Sequence, residues 1–366
     1  MSRPILTIRE LRTRAVVVPM ERQLHTRIAT FDKAPFLLID LETEEGVTGH
    51  AYLFGYLNRG TTYMAAILRD ILATTKGQRI APVDQYTTIE KSLTLAGHQG
   101  LATMAASGFD IACWDALSKA RGLPLVRQLG GTVQSIRAYN SNGLGLSSPE
   151  TVAEEAIELL ADRNFDAVKV RIGRETLAED IQTIRAVRKA VGDDVILPTD
   201  FNQGLSVSES IHRGQALDQE GVYWIEEPIR YDDLLGYAKI TREVKTPIQL
   251  GENFYGPKTM ADAIRANAGD YMMPDLQRIG GVTGWLRAAA LTEAAGIDMS
   301  SHLFPEVSCH LLAVTPTRHW LEYVNWAEPV LAEPLELKNG HALIPDRPGT
   351  GVEWNEEAVS RYQVEL

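Results

Sequence analysis

The chain has 366 residues, 45% of them hydrophobic, enough to bury a large core and to fill two domains. Its formal charge is −12 with no basic cluster to follow a phosphate backbone, so nucleic acid is excluded as an expected partner and an anionic substrate would need local cations. No apolar run reaches the about 18 residues of a membrane span, so neither a membrane anchor nor a membrane partner is expected, and a cytoplasmic location is the default.

Residues 4 to 18 and 34 to 53 read as strands, the second stretch a hairpin divided by the EEG turn. Between them Met20 to Lys33 reads as a polar loop, and Gly55 to Thr61 as a second flexible piece. Helical periodicity then runs from Thr62 to about Leu129, where Pro124 starts a last turn and Gly130 and Gly131 stop it. Residues 1–132 are therefore expected to form an α+β domain. Cys113 and Cys309 lie in apolar helical contexts, where a buried thiol rather than a disulfide or metal ligand is expected.

From Val133 strand and helix alternate. Strands are placed at about 135 to 141, 166 to 172, 195 to 201, 223 to 228, 247 to 252, 271 to 275, 298 to 303 and 319 to 324, and eight suffice to close a barrel over residues 133–325. After Glu328 another hairpin follows, and residues 326–366 are expected to return to the first domain.

Three of these strands end in acids: VILPTDFN, VYWIEEP and PIQLGEN. Asp200, Glu226 and Glu252 are spaced 26 and 26 residues apart, the length of one βα unit. A single acid after a strand is ordinarily a helix N-cap; three at one repeat distance would share the mouth of the sheet. Crowded carboxylates repel unless a cation lies among them, and an all-oxygen site suits Mg²⁺ better than Zn²⁺. Glu227 has the weaker claim, since neighbouring strand residues face opposite ways. The register continues with Lys169 and Arg171 on one face of DAVKVRIG, then Asp275, His302 and Glu322.

In order, KVRIG, TDFNQ, WIEEP, LGEN, MPDLQRIGGVTGW, SSHLF and WLEYV, preceded by FDIACWDALSKARGLPLVRQLGG, resemble mandelate racemase within the enolase superfamily over nearly the whole chain. The resemblance implies an α/β fold, a modified TIM barrel of (β/α)7β form, under an α+β capping domain. It also implies an essential Mg²⁺ on Asp200, Glu226 and Glu252, Lys169 at the substrate carboxylate, and His302 as base with Asp275 orienting its ring. Glu322 matches the acid that hydrogen-bonds the substrate carboxylate and, if protonated, would be a donor. The same likeness points to a small-molecule carboxylate substrate and to a homo-oligomer, often an octamer. Specificity is expected from Leu24, His25, Phe31 and Tyr56 in the loops over the mouth; Asn202, two beyond Asp200, either contacts metal or substrate at the same mouth or caps a turn, and Ser141 is a further candidate for binding substrate.

One departure matters. The family uses a second Lys where this chain has Arg171. From reference pKa values, deprotonating Lys at pH 7 costs about 4.6 kcal/mol and Arg about 7–9 kcal/mol, so Arg171 is the poorer base. Exchange on both faces of a carbon needs two bases; one suits abstraction by His302 and loss of a β-hydroxyl. Dehydration of a 2-hydroxy or sugar acid is therefore expected ahead of racemisation, with Arg171 binding oxygens or held in a structural ion pair. The Lys-to-Arg change is also what a non-catalytic binding barrel would share.

Overall fold

Alternation of buried and exposed residues through the first fifty positions builds an antiparallel meander. In the computed structural model, which describes residues 5–366, its strands are β1 (Ile8–His25), β2 (Thr30–Thr43) and β3 (Thr48–Phe54). Pro4, the first residue of the expected amino-terminal strand, lies outside the described residues. Helices α1 (Asn58–Thr75), α2 (Pro82–Ser92), α3 (Leu101–Ala120) and α4 (Leu125–Gln128) follow. The α3 helix lies directly on the sheet: a Cβ at Gly49 would fall 2.0 Å from the Ala112 carbonyl oxygen, so only glycine permits this approach.

Two expectations for this domain are corrected. The segment Met20 to Lys33 is not a loop but the far end of a long hairpin, paired as Leu24 to Phe31 and His25 to Thr30 around a tight 26–29 turn. Its register with Pro19 and Lys33 is broken between the two halves, which lets the tip bend over the barrel. Gly55 to Thr61 is not a flexible piece, because α1 already starts at Asn58. The expected helical stretch is present as four helices, divided where Gly77, Gly97, Gly100 and Gly122 take positive φ angles.

The barrel contains β4 (Ser135–Asn140), α5 (Pro149–Ala161), β5 (Val170–Arg171), α6 (Leu177–Val191), β6 (Thr199–Asp200), α7 (Val207–Leu217), β7 (Ile225–Glu226) and α8 (Leu234–Glu243). It continues through β8 (Ile248–Leu250), α9 (Pro257–Ala266), β9 (Tyr271–Met272), α10 (Leu276–Ile279), α11 (Gly281–Ala295), β10 (Asp298–Met299), α12 (Pro305–Ala313) and β11 (Leu321–Tyr323). Parallel pairing runs from β5 to β10 in sequence order and from β11 to β4. Bridges Asn140 to Val168 and Met299 to Arg318 close the ring. The helices start where polar residues satisfy their first N–H groups: Ser148, Ser206 and Asp233 cap three of them, and Thr176 with Glu179 forms a reciprocal capping box.

The last segment holds both parts together. Strands β12 (Leu337–Lys338) and β13 (His341–Leu343) form a hairpin, and β13 pairs antiparallel with β4 of the barrel. Helix α13 (Glu356–Tyr362) and β14 (Gln363–Val364) then lie on β1, with Ala15 opposite Val364. The hairpin thus packs on the barrel and only the tail reaches the capping domain. Both cysteines are free and buried. Among the described residues no helix is long and apolar enough to cross a membrane.

Candidate active site

Side chains at the carboxyl ends of the barrel strands point into the mouth, and the ladder sets them in rows: Arg171 opposite Asp200, and Asp200 opposite Glu226. At the ends of several strands the backbone turns into left-handed angles at non-glycine residues, with φ 47° at Asn202, 39° at Glu227 and 50° at Leu303. Such residues cost about 1–3 kcal/mol each and persist only where the surroundings impose them.

Lys169 is the centre of charge. Its ammonium lies 2.6 Å from Glu226 Oε1, 2.8 Å from Glu322 Oε1 and 3.4 Å from Asp200 Oδ2. Burial opposes its charge, but Glu226, Glu322 and Asp200 outweigh burial and keep it protonated. Glu226 is pushed up to about 8, first by burial and then, against Lys169, by Asp200, Glu322 and Glu252. There are more carboxylates here than cations to neutralise them. Beneath them Tyr139, Trp224 and Trp320 form an aromatic floor, and the Trp224 indole N–H donates to Glu226 Oε2 at 3.1 Å.

On the opposite side His302 is held between carboxylates. Its Nδ1 is 2.7 Å from Asp275 Oδ2 and its Nε2 is 3.2 Å from Glu252 Oε2. The other Asp275 oxygen caps α10, accepting from Gln277 and Arg278 N–H, so Asp275 is locked and the ring with it. Burial alone would lower the His302 pKa, but Glu252, Glu322 and the Asp275 hydrogen bond raise it to about 9. Glu227 faces away from this mouth, accepting from Gly251 N–H and the Tyr237 hydroxyl, as strand alternation requires.

Asp200, Glu226 and Glu252 offer oxygen donors only. As placed, among the described residues no three His, Cys, Asp or Glu side chains converge into a ready metal cage: Lys169 draws on Asp200 and Glu226, while Glu252 accepts from Asn253 and faces His302. Two observations nevertheless fit a hard dication: the crowding of Asp200, Glu322 and Glu252 around Glu226, which opposes its ionisation when no further cation is near, and the buried Asn202 Oδ1, which has no hydrogen-bond partner.

Residues 8–130 match the mandelate racemase / muconate lactonizing enzyme N-terminal domain, and residues 151–358 match the enolase C-terminal domain-like family. The chain belongs to the mandelate racemase-like branch of the enolase superfamily. It is 32% identical over 324 residues to L-talarate/galactarate dehydratase of Salmonella typhimurium, covering 88% of this chain and 81% of that protein. Among solved structures, an enolase from alpha proteobacterium bal199 with bound magnesium has 48% identity and a TM-score of 0.96, covering 98% of this chain and all (100%) of that one. An enolase from Bradyrhizobium complexed with magnesium and mandelic acid has 39% identity and a TM-score of 0.95, with both chains covered at 100%. Relatives also include a D-galactarolactone cycloisomerase and a hydrophobic dipeptide epimerase. This member of the superfamily is accordingly an enzyme of the lyase or isomerase kind.

A cavity of about 220 Å³ opens over the cluster, lined by Lys169, Arg171, Asp200, Asn202, Glu252, His302 and Glu322. Leu24, Phe31 and Tyr56 also line it, as do Thr26, Ile28 and Phe54 from the same two stretches over the mouth, not singled out from sequence, and Gln203, Asn253, Arg278, Leu303 and Trp326, which sequence reasoning missed. Some of these had a legible signal: Phe54 is two residues before Tyr56, and Asn253 directly follows Glu252. Arg278 and Trp326 had none, because the fold brings them to the mouth from the turn beyond Asp275 and from the loop after β11.

His25 is a correction: it is absent from the lining, its Nδ1 lies 3.1 Å from Thr30 Oγ1, and the strand alternation that turns Leu24 inward turns it out. Ser141 is brought to the cluster but lies under it, donating to Glu322 Oε1 at 2.7 Å and accepting from Arg171 Nη2 at 3.1 Å. The surroundings of Glu322 oppose the protonated form considered from sequence. Burial raises its pKa, but Lys169 and then His302 outweigh that and hold it well below the usual carboxylate range. It accepts from Lys169, Ser141 and Leu303 N–H.

Proposed function

We propose that the chain is a Mg²⁺-dependent enzyme that removes the α-proton of a 2-hydroxy carboxylate with His302 as base, and that the reaction is dehydration. The observation that carries this is the His302–Asp275 pair on one side of the cavity, with Arg171 rather than a second base on the other. Asp200, Glu226 and Glu252 would hold the dication, as the magnesium-bound relatives make reasonable. When bound, it supplies electrostatic stabilisation of charge growing on the substrate carboxylate, and takes up the Glu252 charge that biases His302 toward its protonated form.

The rest falls to the protein's own groups. Lys169 stays cationic and adds to that stabilisation. Asp275 accepts from Nδ1, which leaves Nε2 to receive the α-proton. Arg171 donates from Nη1 to the Gly143 carbonyl at 2.7 Å and from Nη2 to Ser141, so it is fixed as a donor and binds substrate oxygens. Loss of a β-hydroxyl as water then gives an enol and, from it, a 2-keto acid.

A second reading, racemisation of an aromatic 2-hydroxy acid, is favoured by the cavity's other wall. Leu24, Ile28, Phe31, Phe54, Leu303 and Trp326 suit an apolar tail better than a polyol, and mandelic acid is bound by the Bradyrhizobium relative. Incubating enzyme, Mg²⁺ and a panel of sugar acids and aromatic hydroxy acids in D₂O separates the two. Keto-acid release is expected. Deuterium at the α-carbon with inverted configuration would establish racemisation instead. His302→Asn should lower either turnover by about 10²–10⁴-fold, and unchanged rates would remove His302 from the mechanism.

A further inference from the structure

His302 is followed by Leu303 and Phe304, both left-handed, with φ of 50° and 51°. Side chains of this size take up such a pair only when their surroundings impose it. The turn serves the site twice: it aims the His302 ring between Asp275 and Glu252, and it presents Leu303 N–H to Glu322 Oε2 at 2.9 Å. From within the barrel it is braced by Ser308, whose hydroxyl donates to the Leu303 carbonyl at 3.1 Å.

The second brace comes from the capping domain. Tyr52, on β3, donates its hydroxyl to Glu306 Oε2 at 2.5 Å, and its ring centroid lies 5.1 Å from that of Phe304. Tyr52 and Glu306 are each 5% exposed, and Tyr52 is the sole side-chain partner of the Glu306 carboxylate among the described residues. A buried carboxylate whose donor is removed loses that compensation in full, so the contact resists separation of the two domains at this point. Neither residue lines the cavity over the acid cluster.

We propose that Tyr52 and Glu306 form a cross-domain strut in which Tyr52 is a positioning residue, holding the left-handed turn and through it the His302 ring and the Leu303 N–H. The role assigned to the ring rests on His302 being the base. The test uses the full-length enzyme with Mg²⁺. Tyr52→Phe keeps the ring against Phe304 and removes only the donor; kcat is expected to fall about tenfold with KM within about twofold. In the same variant, free of substrate, the His302 Nδ1–H resonance in proton NMR is expected to shift or broaden. Glu306→Gln, which retains an acceptor for the Tyr52 hydroxyl, should keep more of kcat than Glu306→Ala. An unshifted resonance in Tyr52→Phe overturns the strut, whether kcat is unchanged or falls only in step with a lowered melting temperature. A wild-type enzyme silent toward every hydroxy acid would sink the base assignment alone, since the resonance of the free protein still decides the strut.

Discussion

Arg171 has no carboxylate within salt-bridge distance among the described residues, whereas the other strong cations lining the cavity, Lys169 and Arg278, both do. The structural ion pair considered from sequence is therefore not what holds it: its bonds go to the Gly143 and Ser141 carbonyls and the Ser141 hydroxyl, and its buried Nε is unpartnered. A buried guanidinium whose hydrogen-bond partners are all neutral is available to an anion. A lysine there would lose the fork that fixes it and would be easier to deprotonate by about 2–4 kcal/mol. Arg171→Lys should thus raise deuterium incorporation with inverted configuration by about 30- to 10³-fold over wild type while weakening substrate binding. Mass spectrometry and chiral analysis of recovered substrate check this; no gain in inverted product would mean that the second face is closed by geometry rather than by basicity.

Among the elements, the long β1–β2 hairpin does most to define the cavity. Its tip is fastened to the barrel by Leu146 N–H donating to the His25 carbonyl at 2.9 Å and by Arg27 Nη1 donating to the Gly173 carbonyl at 3.0 Å. Arg27 lies in a groove that Gly204 leaves open, where a Cβ would fall 2.1 Å from Arg27 Cγ. One such hydrogen bond contributes about 0.5–1.5 kcal/mol net. Arg27→Ala should therefore raise KM about two- to tenfold and leave kcat nearly unchanged, since the tip holds the substrate tail and not the reacting carbon. Steady-state kinetics test this, and a fall in kcat at constant KM would show that the tip does more than bind. The strand part of the hairpin was readable from its alternating apolar residues, but the tip was not. Its polar composition is that of a loop, and it becomes strand only because each half supplies the other's hydrogen bonds.

At the scale of the whole molecule, the carboxy-terminal tail fastens the capping domain through charge. His50 Nδ1 lies 2.8 Å from Asp40 and its Nε2 3.1 Å from Glu353; Lys119 pairs with Glu353 at 2.6 Å, and the Trp354 indole N–H donates to Asp40 at 2.6 Å. Burial would depress the His50 pKa, but the Asp40 and Glu353 hydrogen bonds raise it from 6.5 to about 9. A raised pKa stabilises the fold fully below the unfolded value, and that stability is lost as pH rises from 6.5 to about 9. The amount is on the order of 2–3 kcal/mol, or roughly 3–5 °C in melting temperature. Glu353 works in the opposite sense: burial raises its pKa, but His50 and Lys119 lower it to about 2, so its contribution fades as pH falls from 4.5. Being half exposed, Glu353 contributes less. Thermal melts across pH should show a decline on the alkaline side that His50→Gln flattens; a decline of equal slope in the variant would assign it to another group.

The βα rhythm, the eight strand ends and the row of ionisable groups from Lys169 to Glu322 could be read from the chain alone. Buried parallel strands must be apolar and helices must be amphipathic, so any charge at a strand end stands out against its own segment. Which charges meet could not be read in this way. Lys169 between Glu226 and Glu322, Ser141 under Glu322 and Tyr52 on Glu306 join residues 57 to 254 positions apart. Those pairings depend on how the ring closes and on which face the capping domain covers. The direction in which the Glu322 pKa is displaced and the inward turn of Leu24 beside the outward turn of His25 are likewise set by three-dimensional neighbours. A side chain's charge state and direction are set by the field and packing around it, and local sequence carries neither.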